Sequence, residues 1–337
     1  MTTIRAYSAT APGEPLKAVE YEAGALGADE VEVAVEYCGI CHSDLSVWKN
    51  EWGNSIYPLV PGHEVIGRIT AVGTHAKKVK VGDRVGIGWN SSSCMCCHQC
   101  LSGDQHLCHD ALPTMIGHHG GWAERLRCHW AWAIPIPEEL DPKTTGPLLC
   151  GGITVFAPLA AFDVKPTAHV GVVGIGGLGH MALQFANAWG CEVTAFTSSP
   201  GKTDEAHGFG AHNVLSSRDS DSIRSIKGSL DMLLVTVNVP LDWSAYMSTL
   251  APHGRMHVVG AVPEPIPIAA FDLIGGQRSV SGSPTGAPVS MATMLEFAAR
   301  HDVEPETEQF PMSEVNEALA RLESGKARYR IVLKADF

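Results

Sequence analysis

The chain has 337 residues, ten cysteines, sixteen histidines and a formal net charge of −12. That length suits two cores better than one, and the acidic balance disfavours phosphate-bearing partners, so neither nucleic acid nor an anionic membrane surface is expected. The opening MTTIRAYSATAPGEP has no apolar h-region and no run reaches a membrane span. Ten cysteines in that context are expected in a reducing, cytoplasmic compartment, where thiols bind metal or do chemistry.

Residues 31–37 alternate apolar and polar, as a half-buried strand does, and so do parts of 65–72 and 79–87, with glycine-rich turns between them. To about residue 148 the chain reads as short strands and loops rich in Gly, Pro, His and Cys, an antiparallel, β-barrel-like domain carrying metal loops. The texture changes near Pro147. From Val170 the order is strand, glycine turn, helix, strand; Leu178, Met181, Ala182, Phe185, Ala186 and Trp189 keep helical spacing on one face. Strands at 231–237 and 256–261 continue the alternation, which predicts an α/β, doubly wound parallel sheet. The tail carries a helix at 291–301, a second at 313–325 and a closing strand at 329–337. The predicted domains are 1–148, β-rich and metal-binding; 149–285, dinucleotide-binding; and 286–337, a segment completing both.

Gly174, Gly176 and Gly179 form a GxGxxG motif, with Gly177 and Leu178 inside it, between the apolar strand Val170–Val173 and a helix. That context identifies a dinucleotide fingerprint: a tight turn, a backbone that the pyrophosphate can approach, and a helix start that favours its charge. The next strand ends at Phe196, followed by Thr197, Ser198, Ser199 and Lys202. An acid there would bind the ribose 2′-hydroxyl of NAD. Hydroxyls and a lysine suit a 2′-phosphate, so the reading favours NADP(H).

Cys94, Cys97, Cys100 and Cys108 read C-x2-C-x2-C-x7-C. Four thiolates at such spacing can wrap one tetrahedral zinc and leave no open position. Cys96 breaks the regular gaps and is read as a bystander. Cys41, His63, Glu64 and Cys150 are scattered ligand candidates; two sulfurs and one imidazole would leave a fourth position open for water or substrate.

The segments CGICHSDLS, NEWG, YPLVPGHEVIGR, GPLLCGGITVF, VGIGGLGH and GKARYRIVLKADF resemble the zinc-dependent medium-chain alcohol dehydrogenases. Within them they are most similar to the cinnamyl-alcohol-dehydrogenase-like branch and its bacterial broad-range, NADPH-dependent aldehyde reductases. The resemblance covers essentially the whole chain. It implies a GroES-like catalytic domain plus a Rossmann domain, two zincs per chain, and a homodimer joined through the nucleotide domains. It makes Cys41, His63 and Cys150 the catalytic zinc ligands and Glu64 a carboxylate that coordinates transiently. By the same match Asp44 orients His63, Ser43 touches the substrate oxygen, His42 meets the cofactor pyrophosphate and Thr154 lies beside the nicotinamide. Many relatives carry a relay histidine five residues after the first cysteine; here that position is Ser46. The implied reaction is hydride transfer between the nicotinamide and a zinc-held carbonyl. Trp48, Trp52, Trp89, Pro284 and Thr285 are expected to line a roomy apolar pocket, hence broad specificity for aliphatic and aromatic aldehydes and primary alcohols. Cys41, His63 and Cys150 argue against a zinc-free quinone or enoyl reductase; a non-catalytic NADP(H)-sensing or zinc-storage protein would bind without turnover.

Overall fold

A computed structural model describes residues 2–337, which divide into two compact units: residues 2–153 with 285–337, and residues 154–284. All of the tail from Thr285 packs with the first unit.

The first unit is built on a seven-stranded sheet around the long strand Glu30–Ile40. Its Val31–Cys38 stretch pairs antiparallel with Val65–Val72, whose other edge pairs with Arg84–Ile87. On its far side the same strand pairs with Arg125–His129 over its first half and with Arg330–Lys334 over its second. Thr307–Pro311 adds a parallel edge to Arg330–Lys334, so the expected antiparallel domain has one parallel pair. The expected strand at 79–87 is confined to Arg84–Ile87. Its first residues are a turn, with Lys78 and Gly82 in the left-handed region and the Asp83 carboxylate accepting from the Lys80 N–H at 2.9 Å. The core is aliphatic, with Val31, Val33, Ile69, Val85, Leu126, Ile331 and Leu333 buried between the sheet and the helix Val315–Glu323.

The second unit is a six-stranded, all-parallel sheet. Its order is Asn213–Ser216, Glu192–Thr197, His169–Val173, Leu230–Val235, Leu250–Val258 and Ser279–Gly282. The two central strands bury Val170, Val172 and Val173, and Leu230, Met232, Leu233, Leu234 and Val235, as strands covered on both faces do. The reversal of strand order beside His169–Val173 is the switch point at which dinucleotide-binding sheets open a crevice. The helix Gly179–Trp189 follows that strand and buries Met181, Ala182, Phe185 and Ala186, four of the expected face, and Leu183 as well. GroES-like and Rossmann architectures are thus both present. No single helix among the described residues is long and apolar enough to cross a membrane.

Glu32 shows how charge is accommodated in the first sheet. Its side chain is 5% exposed and lies directly across from Arg127; Arg127 donates to it at 2.9 and 3.0 Å and Arg125 at 2.8 Å. Burial alone would raise the carboxyl pKa, but the two guanidinium groups outweigh it and hold it below the usual carboxylate range. A depressed pKa contributes stability that is present above the unfolded carboxyl's value and lost as pH falls through the folded one. Glu32→Gln is therefore expected to cost about 1–3 kcal/mol at neutral pH, the range for hydrogen bonds to charged groups. Urea unfolding of both proteins should show that difference shrinking below about pH 4.3, the ordinary glutamate pKa; a difference that stays constant into acid would refute the assignment.

Candidate active site

Four cysteines meet in the 94–108 loop. The Cys94 sulfur lies 3.5 Å from that of Cys108 and 3.9 Å from that of Cys100, and Cys97 lies 3.8 Å from Cys108. Zn–S bonds of about 2.3 Å in a tetrahedron place sulfurs about 3.8 Å apart, so the donor set fits zinc without rearrangement. Backbone N–H groups of Cys96 and Cys97, and then the Cys108 thiol, draw the Cys94 pKa down to about 6. Cys96 is exposed and stands outside the four.

Cys41, His63, Glu64 and Cys150 also converge, each offering one ligand atom within 4.8 Å of the others. Cys41 caps the short helix His42–Trp48, its sulfur accepting from the Ser43 N–H at 3.4 Å while the Asp44 side chain accepts from the Cys41 N–H at 2.8 Å. Gly62 turns the chain into His63 with φ of 100°, and a Cβ there would stand 2.6 Å from Trp122 and 2.9 Å from the Cys38 sulfur, so only glycine fits. Cys150 ends the turn Gly146–Leu149, ahead of the helix Gly151–Ala161. The sulfurs of Cys41 and Cys150 are 3.9 Å apart and His63 Nε2 is 3.2 Å from Cys150. His63 Nδ1 donates to Asp44 at 3.1 Å, so that in the neutral ring the lone pair is on Nε2, towards the sulfurs. Two sulfurs and one imidazole nitrogen at these separations fit a zinc with an open fourth position.

The electrostatics suit a cation. The bond from Cys150, despite burial, holds Cys41 well below a free thiol, and the same bond with burial pushes Cys150 up. Burial would lower His63, but the Asp44 charge and hydrogen bond raise it. Burial lifts Glu64 to about 7 against the pull of Arg330. Glu64 Oε1 is paired with Arg330, whereas Glu64 Oε2 and Arg330 Nε are buried with no protein partner. Arg330 was not among the residues singled out from the sequence. The available signal was an arginine inside the apolar closing strand, where a buried guanidinium demands a carboxylate.

Ser43 stands next to this cluster, its hydroxyl 3.6 Å from the Cys41 sulfur. Ser46 is buried, and its hydroxyl donates to the exposed Glu51 at 2.8 Å. His42 is exposed at the start of the same helix. The Trp89 ring is edge-on to His63 at 5.1 Å, and Trp52 is edge-on to Trp89 at 6.0 Å. Trp48 packs in the same apolar cluster as Trp89, but its indole N–H is taken by the Glu14 carbonyl at 2.7 Å. The Thr285 hydroxyl is buried without a partner.

In the second unit the glycine motif forms the turn after Val173. Gly174 has φ of 91°, and a Cβ on Gly179 would lie 1.9 Å from the Gly174 carbonyl. A Cβ on Gly176 would meet nothing within 4 Å, so the backbone there is open to a ligand; Gly177 and Leu178 complete the turn into the helix. His180, also unforeseen, is buried and donates from Nδ1 to the Gly176 carbonyl at 2.9 Å. The Thr197 hydroxyl is turned inward and accepts from the Ser199 N–H at 3.1 Å, while Ser198 and Ser199 are exposed. Lys202 donates to the Ile175 carbonyl at 2.6 Å, which brings its charge to the glycine loop. Thr154 donates to the exposed Pro284 carbonyl at 3.0 Å.

Residues 27–138 match the family model for the alcohol dehydrogenase GroES-like domain, and residues 177–300 match that for zinc-binding dehydrogenases. The chain is 54% identical over 330 residues to the aldehyde reductase AdhA of Synechocystis sp., covering 98% of each. It is 40% identical over 316 residues to a probable cinnamyl alcohol dehydrogenase of Arabidopsis thaliana, covering 91% of this chain and 87% of the relative. A solved cinnamyl alcohol dehydrogenase of Sorghum bicolor superposes with a TM-score of 0.94 at 38% identity, over 99% of this chain and 98% of that one. The structure of CAD from Helicobacter pylori complexed with NADP(H) superposes with a TM-score of 0.90 at 30% identity, over 98% of each chain. The chain belongs to the zinc-dependent medium-chain alcohol dehydrogenase family, in its cinnamyl-alcohol-dehydrogenase-like branch, and is an alcohol dehydrogenase or aldehyde reductase by class.

Proposed function

We propose that the chain is an NADP(H)-dependent aldehyde reductase of broad specificity that holds one catalytic and one structural zinc. The reading rests above all on the Cys41, His63 and Cys150 donor set, open on one side and oriented from behind by Asp44. Cys94, Cys97, Cys100 and Cys108 would hold the second ion as a closed, loop-stiffening site. Bound at the open set, zinc supplies Lewis acidity to a carbonyl oxygen, and the nicotinamide supplies the hydride.

The protein's own part is orientation and proton handling. Asp44 fixes the imidazole tautomer and so the direction of Nε2. The Ser43 hydroxyl, beside the Cys41 sulfur, gives the substrate oxygen its proton in reduction and takes it back in oxidation. Ser46, with its proton already committed to Glu51, is left outside the first transfer. Trp52 and Trp89 offer aromatic surface next to His63, and apolar walls discriminate weakly between homologous aldehydes, at about 1–3 kcal/mol per methylene. His42, Gly174, Gly176, Gly177, Leu178, Gly179 and Thr154 are assigned to the cofactor, and Ser198, Ser199 and Lys202 to its 2′-phosphate. NADP(H) in the Helicobacter structure supports that choice.

We further infer a homodimer and a cytoplasmic location. Among the described residues the strand Ser279–Gly282 ends the parallel sheet with its outer edge unpaired, and Phe271 and Ile274, in the helix Ala270–Ile274 that precedes it in the chain, are 83% and 68% exposed. An edge of that kind is protected by pairing with another chain.

Metal analysis is expected to find two zincs per chain. His63→Ala should lose one of them together with turnover, while keeping the fold and NADPH affinity. Fully active enzyme with a single zinc would overturn the assignment.

NADPH should be preferred over NADH by at least about tenfold in kcat/KM, since one charge-assisted hydrogen bond is worth about 1.5–3 kcal/mol. Ser198→Asp should shift the preference towards NADH. Equal use of both cofactors by the native enzyme would contradict this.

Ser43→Ala should lower kcat on the order of 10²–10⁴-fold, the range for a positioned proton donor, with little change in KM for NADPH. Ser46→Ala should cost little by comparison. Near-native turnover of the Ser43 variant would mean that water alone handles the proton.

A further inference from the structure

The strand Leu250–Val258 carries a fully buried histidine, His257, between Met256 and Val258. A strand covered in a parallel sheet ordinarily takes an apolar residue there. Both ring nitrogens are used. His257 Nδ1 lies 2.9 Å from the Ser281 hydroxyl, on the residue directly across the ladder, and Nε2 lies 2.9 Å from the Ser283 hydroxyl just past the end of that strand.

The first member of this chain of hydrogen bonds can only donate. Arg255 Nη1 reaches the Ser281 hydroxyl at 3.2 Å, and a guanidinium can only donate. A hydroxyl that takes this bond keeps a proton to give, and given to His257 Nδ1 it puts the ring's own proton on Nε2, donated to Ser283. The Phe162 ring lies 3.9 Å from the Arg255 guanidinium carbon and 5.2 Å from the His257 ring, closing the cluster. Burial first, and then the Arg255 charge, press the His257 pKa down to about 4, so the neutral ring that this direction requires is the resident form. The Ser283 proton is the end of the chain and meets no acceptor among the described residues.

Where that end lies matters. Ser283 follows the carboxyl end of Ser279–Gly282, and the glycine loop follows the carboxyl end of His169–Val173, so both are on the same rim of one parallel sheet. Ligands of such sheets bind outside the carboxyl ends, one mononucleotide over each half. Ser199 and Lys202, given to the adenosine side, follow the strand on one flank of His169–Val173. Ser283 lies on the other flank, three strand spacings or roughly 14 Å away. The next residue, Pro284, has its carbonyl held by Thr154 at 3.0 Å. The strand end is thus tethered twice, by a side chain from the neighbouring strand and by a helix residue.

We propose that His257 is a positioning residue for the nicotinamide half of the dinucleotide: it fixes the Ser283 hydroxyl as a donor on the sheet's carboxyl rim, aimed at the nicotinamide riboside. This rests on the NADP(H) reading above. The test compares NADPH with 2′,5′-ADP, which carries the adenosine half alone, in the full-length zinc-loaded enzyme. Ser283→Ala, at a half-exposed position, and His257→Ile, a strand-forming apolar replacement, should each weaken NADPH binding about three- to tenfold, the worth of one hydrogen bond. Affinity for 2′,5′-ADP should stay native in both. Unchanged NADPH affinity in Ser283→Ala would overturn the proposal, as would an equal loss of both ligands in His257→Ile, since that marks general damage to the sheet. Native enzyme that binds neither NADPH nor NADH would overturn the cofactor reading itself.

Discussion

A single buried carboxylate ties the metal-binding loops together. Asp44 is fully buried and accepts three hydrogen bonds, from the backbone N–H groups of Cys41 and Gly62 and from His63 Nδ1. Each of those donors would be orphaned without it, at about 1–3 kcal/mol apiece. The two backbone bonds fix the distance between the loop that bears Cys41 and the loop that bears His63. The third chooses the imidazole tautomer. Two of the three candidate donors, drawn from distant parts of the chain, thereby take their geometry from the carboxylate behind them.

A comparable division of labour holds in the dinucleotide-binding unit. The glycine loop has no side chains with which to hold its own shape, so its neighbours do it. His180 takes the Gly176 carbonyl, and the Thr236 hydroxyl takes the carbonyls of Val173 at 2.8 Å and Gly174 at 3.3 Å. Those bonds add a side-chain donor to carbonyls of the turn, two of which already accept a backbone N–H, Val173 from Thr236 and Gly176 from His180, each at 3.1 Å. In both units the residues most visible in the sequence are the ones supported, and the supports are scattered.

That difference explains what could be read in advance. The four-cysteine loop was legible because its ligands are local and evenly spaced, and the glycine motif because a strand precedes it and a helix follows. Cys41, His63 and Cys150 carry no such local signal; their residue types offered them as a scattered ligand set, but their meeting depends on sheet closure, and the family resemblance gave them their roles. Arg330 stayed hidden because its partner lies 266 residues away. The strand expected from residue 79 starts at Arg84 because apolar alternation runs on through a turn that left-handed Lys78 and Gly82 impose. Thr307–Pro311 was missed as a strand because an edge strand buries little and can afford Thr, Glu and Gln.

The sheet of the first unit is built from strands that lie on both sides of the second unit in the chain, and this orders events during synthesis. Tyr37–Ile40 leaves the ribosome before residues 154–284 are made, and its partners, Ile331–Lys334, only after them. Residues 154–284 form a contiguous unit that can close upon itself while the first unit still waits, at a synthesis rate of about 5–20 residues per second. Through that interval the nascent chain holds an unpaired strand edge, open to wrong pairing, and a Glu64 carboxylate without its guanidinium. The candidate metal site, with donors at Cys41, His63 and Cys150, is therefore finished only when Arg330 arrives, and a frameshift just before Arg330 would strike it as surely as one at Cys41.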